Sequence, residues 1–139
     1  MQPIVRYIEN IEAVENVCGE LRIFSTAKDF KMANVAMATM TGPSVPHYHK
    51  VLTEFYFIMS GCGRLIVAQN VFEIQYRSLV IIPPNYAHSA IPRKKLTVLA
   101  FSVPAWTEDD EFVIEEGFAE AGYSFMTEKY TLLLRNLLQ

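Results

Sequence analysis

Residues 42–61 read Gly42-Pro43-Ser44-Val45-Pro46-His47-Tyr48-His49-Lys50-Val51-Leu52-Thr53-Glu54-Phe55-Tyr56-Phe57-Ile58-Met59-Ser60-Gly61, and this stretch decides the fold. It contains two of the chain's three histidines together with the carboxylate of Glu54. Side chains alternate faces along an extended strand, so His47 and His49 point one way and Tyr48 the other. The third histidine, His88, closes a second strand-and-turn segment that starts at Ser78. Imidazole nitrogen and carboxylate oxygen together suit a first-row divalent metal. A single histidine is usually a satisfied core or surface residue. A same-face His-x-His followed by Glu, with a further His in the next hairpin pair, is better read as a metal site.

Working outward, Glu54–Ser60 reads as a strand, Gly61-Cys62-Gly63 as a tight turn, and Arg64–Ala68 as the return strand of a hairpin. Upstream, Leu21–Ala27 and Asn34–Thr41 read as strands divided by the polar Lys28-Asp29 turn. Downstream come Val71–Tyr76, Ser78–Ile82, Ala87–Ile91 and Leu96–Val103, punctuated at Gln69-Asn70 and Pro83-Pro84-Asn85. Short strands at such close spacing argue for an all-β antiparallel barrel or jelly roll. Residues 4–17 recur in apolar character at Ile4, Ile8, Ile11 and Val14, which fits a helical face, with an extended arm as the alternative.

Strand alternation places Tyr56 and Ile58 on the face of Glu54, and Phe55, Phe57 and Met59 on the other. Tyr56 is thus a candidate proton donor or substrate partner, with a plain core tyrosine as the competing reading. Tyr86 fits a turn or a guard at the barrel mouth. Aromatic residues on both faces of 54–60 predict that the outer face packs against another sheet or a second subunit, and a homodimer is expected.

At 139 residues and 51% hydrophobic, the chain is one globular domain. The net charge of −3 and the short basic run Arg93-Lys94-Lys95, read as a solvated turn, argue against nucleic acid. Cys18 and Cys62 give no disulfide framework. Glu9, Glu12 and Glu15 precede any long apolar run, and the apolar runs are too short for a bilayer. The expectation is a soluble, cytoplasmic protein without membrane partners. Beyond Pro104, Glu108-Asp109-Asp110-Glu111 and Glu115-Glu116-Gly117 read as solvated acidic loops. Residues 127–139 read as a short C-terminal helix, with Thr127 as N-cap and a stripe of Tyr130, Leu133, Leu134, Leu137 and Leu138.

The spacing resembles the cupin family. Its first motif runs Gly, His-x-His, Glu, Gly, and here Gly42 is followed by His47-Tyr48-His49, Glu54 and Gly61 at matching intervals. The second motif is looser: Pro83-Pro84-Asn85 keeps the Pro-to-His spacing to His88. Arg77, Asn85 and Pro92 stand where the family has Gly, Gly and Asn. Asn tolerates a left-handed turn, whereas Arg77 puts the turn before Ser78 in question. The resemblance covers residues 20–104, with 1–19 as an N-terminal arm and 105–139 as a tail. It implies a double-stranded β-helix barrel and one divalent metal (iron, manganese, nickel or zinc) held by His47, His49, Glu54 and His88, leaving open positions for water, substrate or dioxygen.

The function so implied is a metal-dependent enzyme acting on a small molecule. Oxygenase chemistry of the dioxygenase type is favoured because few general bases besides tyrosine are visible. A sugar isomerase, cyclase or lyase would want a second carboxylate inside, and Glu73 is the one strand candidate. A non-catalytic module binding a small molecule or metal is the other class.

Overall fold

The computed structural model describes residues 1–114, so Glu115-Glu116-Gly117 and the helix expected over 127–139 lie outside the described residues. Eleven strands run in chain order: β1 Val14–Asn16, β2 Gly19–Ile23, β3 Asn34–Met40, β4 His47–Tyr48, β5 Thr53–Ser60, β6 Cys62–Val67, β7 Asn70–Gln75, β8 Leu79–Ile82, β9 His88–Pro92, β10 Leu96–Val103 and β11 Phe112–Val113. They form two antiparallel sheets, ordered β1-β2-β3-β10-β5-β8 and β11-β4-β9-β6-β7. This is the expected jelly roll, built as two facing sheets. β1 and β11 carry the sheets beyond the 20–104 span. The helical face expected for residues 4–17 is not formed, and the alternative holds: the arm is extended, with one 3-10 turn at Ile8–Asn10 and β1 at its end.

Period-two burial explains the long strands. β3 alternates strictly between buried and half-buried positions, and β5 buries Glu54, Tyr56 and Ile58 while Phe55 and Phe57 face outward. β5 and β10 pair from Val103↔Thr53 to Val98↔Ile58, after which the register jumps to Thr97↔Ser60, leaving Met59 as a bulge. Between the sheets, Met40, Ile58, Leu65, Ile74, Leu96 and Val98 form the apolar core. Each such side chain, fully buried, contributes roughly 1.5–3 kcal/mol.

The hairpin expected over 54–68 is not formed. β5 is already paired on both edges, by β10 and β8, so the chain crosses at Gly61 to the other sheet, where β6 pairs with β7 and β9. Gly61 has φ +84, and a Cβ there would overlap the Lys95 carbonyl oxygen, so the crossing needs glycine. Cys62 is accordingly the first residue of β6 rather than part of an exposed turn.

Arg77 does make the turn that the family pattern assigns to glycine. It sits at φ +70, with the Ser78 N–H donating to the Gln75 carbonyl at 2.9 Å and the guanidinium 4.8 Å from the Tyr76 ring centroid. The left-handed backbone costs about 1–2 kcal/mol, partly offset by that stacking. Asn85 is likewise left-handed, at φ +68, and its N–H donates to the His49 carbonyl. Among the described residues no helix is long and apolar enough to cross a membrane.

Candidate functional site

Four side chains from three places in the chain converge at one end of the sandwich. β4 brings His47 and its neighbour His49, β5 brings Glu54, and β9 brings His88, which sits opposite His47 in the ladder. All four are buried, and one donor atom from each lies within 4.8 Å of the others. The sequence expectation that His47, His49, Glu54 and His88 meet is therefore realised in space.

The backbone fixes how the rings point. His47 Nδ1 donates to the Val45 carbonyl at 2.8 Å, His49 Nδ1 to the Asp110 carbonyl at 2.6 Å, and His88 Nδ1 to the Tyr86 carbonyl at 3.0 Å. A carbonyl oxygen can only accept, so each Nδ1 carries a proton, and in the neutral ring Nε2 is left with the lone pair. Glu54 Oε2 lies 2.9 Å from His88 Nε2 and 3.3 Å from His49 Nε2. Yet Glu54 Oε2 and His49 Nε2 are fully buried without a partner in hydrogen-bond geometry. Buried acceptors converging without donors are costly. A divalent cation would satisfy both, and three imidazole nitrogens with one carboxylate oxygen suit a first-row transition metal.

At His47 and Glu54 the electrostatics agree with that donor set. Burial, reinforced by the nearby His88, pushes the His47 imidazole down to about 3, so it stays neutral at physiological pH. Burial works against the charge on Glu54, but the contacts from His49 and His88 outweigh it and hold the carboxyl well below its usual range. His49 shows the opposite balance: burial opposes its proton, and the Glu54 contact more than restores it.

Beside the cluster lies a small cavity of about 50 Å3, open at its mouth, with His47 and Glu54 in its wall. Its other polar groups include Asn34, Tyr56, Ser102 and Glu111, among apolar residues of β2, β3 and β10. Tyr56 points inward as expected. Its hydroxyl is 3.4 Å from His88 Nε2 and 3.8 Å from Cys18 Sγ, and burial raises both the phenol and the thiol well above their ordinary values. Tyr86 is exposed at the turn and serves the cluster through its backbone carbonyl.

The segment after β10 adds Trp106 and Glu111 to the cavity wall. The Ala105 N–H donates to the Lys31 carbonyl and the Trp106 N–H to Asn34 Oδ1, anchoring the start of a strap. β11 then pairs with β4, and the Ile114 N–H donates to the Pro46 carbonyl. On the outer face of that sheet, Phe112 stacks on Tyr48, with ring centroids 5.2 Å apart.

The expectation of a solvated loop over 108–111 is thus half wrong. Glu108 and Asp109 are exposed, whereas Asp110 and Glu111 turn inward. Glu111 lines the cavity and accepts from Trp106 Nε1 at 3.3 Å; burial raises its pKa, with His49 opposing. Glu73, the strand carboxylate weighed for an interior role, is exposed and paired with Arg64 at 2.9 Å. Glu111 occupies the place that Glu73 does not. Nothing local to an acidic run reveals which of its carboxylates folds inward; the apolar Phe112-Val113-Ile114 that follows is the one hint of a strand returning to the body.

No family model matches the chain. An uncharacterised protein of Methanocaldococcus jannaschii is 26% identical over 82 residues, covering 58% of this chain and 66% of that protein. The chain thus spans just under two thirds of that relative's length. Among solved structures, the Streptomyces nucleoside dehydratase Pac13 superposes with a TM-score of 0.74 at 16% identity, over 82% of this chain and 92% of Pac13. Ectoine synthase from P. lautus gives 0.68 at 16% identity, over 84% and 96%. At such identities the likeness speaks for the fold. Two antiparallel sheets, a buried His-His-Glu-His cluster between them and these neighbours together make this a cupin-fold protein.

Proposed function

We propose that the protein is a metal-dependent enzyme that carries out proton-transfer chemistry, of the lyase, cyclase or isomerase type, on a small polar molecule. The observation that carries this reading is the second carboxylate in the cavity: Glu111 shares its wall with Tyr56 and Glu54. His47, His49, Glu54 and His88 would hold the ion. When bound, the ion would supply Lewis acidity toward a substrate oxygen, or a site for dioxygen. Glu111, whose raised pKa brings it nearer to neutrality, takes a proton from the substrate. Tyr56, kept protonated by its burial, donates a hydrogen bond or a proton from the β5 side. The strap excludes bulk water from the cluster.

The neighbours support the same class, since they include a nucleoside dehydratase solved with uridine and an ectoine synthase. The dioxygenase reading keeps one favourable feature, a three-histidine, one-carboxylate donor set with room for further ligands beside a largely apolar cavity. The test separates the two. Protein purified without chelator is assayed for metal, then incubated in deuterated water with nucleosides and related hydroxylated compounds, with and without oxygen. Deuterium incorporation or product formation under strict anaerobiosis is expected. Turnover that consumes oxygen stoichiometrically would move the assignment to an oxygenase. A protein that neither contains nor takes up metal would end both.

A homodimer completes the proposal. Phe55, Phe57, Leu79, Leu99, Phe101 and Val103 line an apolar depression on the outer face of the β10-β5-β8 sheet. Leu79 is 56% exposed and Phe101 38% in the single chain. A Phe101→Glu variant is expected to elute as a monomer where wild type elutes as a dimer in light-scattering chromatography; a monomeric wild type would refute the assignment.

A further inference from the structure

Asp110 does more than border the cavity. Its Oδ1 accepts from the backbone N–H groups of Lys50 at 2.8 Å and Val51 at 3.1 Å, and its Oδ2 from those of Val51 at 3.2 Å and Leu52 at 3.0 Å. Three successive amides thus form a small nest around one carboxylate. Those amides belong to the loop that joins His49 to Glu54. The same residue's carbonyl accepts the His49 Nδ1 proton at 2.6 Å, the shortest of the three ring-to-carbonyl bonds in the cluster.

One residue, sixty-one positions along the chain from His49, therefore holds both the loop between two cluster members and the tautomer of one of them. The other two rings obtain their acceptors locally, from Val45 and Tyr86, each two residues away. His49 alone depends on the strap.

We propose that Asp110 is a positioning residue for His49: its carboxylate, seated in the 50–52 amide nest, locks the strap so that its own carbonyl orients His49 Nε2 toward the metal. This rests on the metal reading given above. The position makes ion binding and strap closure mutually reinforcing, because whatever fixes His49 stabilises the His49–Asp110 bond and the converse. Replacing the carboxylate by an amide would set an NH2 group against amide donors and weaken the clamp without changing the residue's size.

The experiment titrates Zn2+ and Mn2+ into the full-length chelated protein against a competing chromogenic chelator. Asp110→Asn is expected to weaken binding about tenfold to a hundredfold, as loss of a residue supporting a metal ligand does. Asp109→Asn, at the exposed neighbouring carboxylate, should leave it unchanged. The effect must pass through His49, so in a His49→Ala background the same Asp110 substitution should cost less than about twofold. An equal loss in both backgrounds would mean that Asp110 is merely structural and would overturn the proposal, as would an Asp110→Asn variant with wild-type affinity. Should Asp110→Asn not fold, amide exchange in the wild type carries the test. Saturating Zn2+ must slow exchange at Lys50, Val51 and Leu52, and unchanged exchange there would also overturn it. Wild type that binds neither ion would sink the metal reading itself, an outcome distinct from either of these.

Discussion

The two ends of the sandwich are made from the same strands and have opposite chemistry. β5 carries Glu54 in the cluster and, further along, Ile58 in the apolar core; β10 carries Leu96 and Val98 in the core and, near its end, Ser102, paired with both Glu54 and Asn34. β3 runs from Asn34 at the polar end to Met40 at the apolar one. Each strand is therefore a gradient, and adjacent strands are registered so that polar meets polar. The apolar end fills space with side chains that need no partner except one another. At the polar end, Glu54 Oε2 and His49 Nε2 lack donors among the described residues, and a strap lies beside them instead of a core. Core packing thus lies toward one end and the candidate site toward the other.

That division is broken or sharpened most directly by a pair of truncations on a single strand. Ile58→Ala removes a fully buried side chain from the core and should lower unfolding stability by about 2–5 kcal/mol in urea titrations. Metal affinity of the variant that remains folded should be unchanged. Glu54→Ala, four residues earlier on the same face, should do the reverse. It should lose at least about 100-fold in metal affinity, equivalent to roughly 2.7 kcal/mol, while its circular dichroism stays that of the wild type. If Ile58→Ala weakened metal binding as much as Glu54→Ala, or Glu54→Ala unfolded the protein, the two ends would not be separable.

The polar end was only partly legible in the sequence. His47, His49, Glu54 and His88 could be found because three of them fall on one short stretch with the alternation of a strand, and alternation is a local property. It also placed Tyr56 inside and the aromatic pair Phe55 and Phe57 outside. What connects strands between sheets is not local. The crossing at Gly61 looks like a hairpin turn until both edges of β5 are seen to be occupied. The strap escapes a local reading for a related reason. An acidic run has the composition of a solvated loop, and the inward turn of Asp110 and Glu111 depends on amides and an imidazole some sixty residues away in the chain. Arg77 shows the converse, a position where the family pattern asks for glycine and the backbone adopts the glycine-like turn regardless.

The smallest effect tests whether the strap belongs to the polar end in energy as well as in place. Burial raises the pKa of Glu111 in the folded chain above its unfolded value. Below the unfolded value, near pH 4.3, the carboxyl is protonated in both states and contributes no pH dependence. As pH rises, the unfolded chain ionises first while the folded one still holds the proton, so ionisation favours unfolding and stability falls until the folded group has also titrated. Glu111→Gln cannot ionise and can still accept from Trp106. In chelated protein its melting temperature should therefore exceed that of wild type at pH 8, by an amount that shrinks toward zero as pH drops through the carboxylate range. Activity should meanwhile be lost at every pH if Glu111 moves the proton. A gap in melting temperature that stays constant with pH, or widens in acid, would place Glu111 with the solvated carboxylates Glu108 and Asp109. Only a pH-dependent gap combined with lost activity makes it a group held against its own stability for the sake of chemistry.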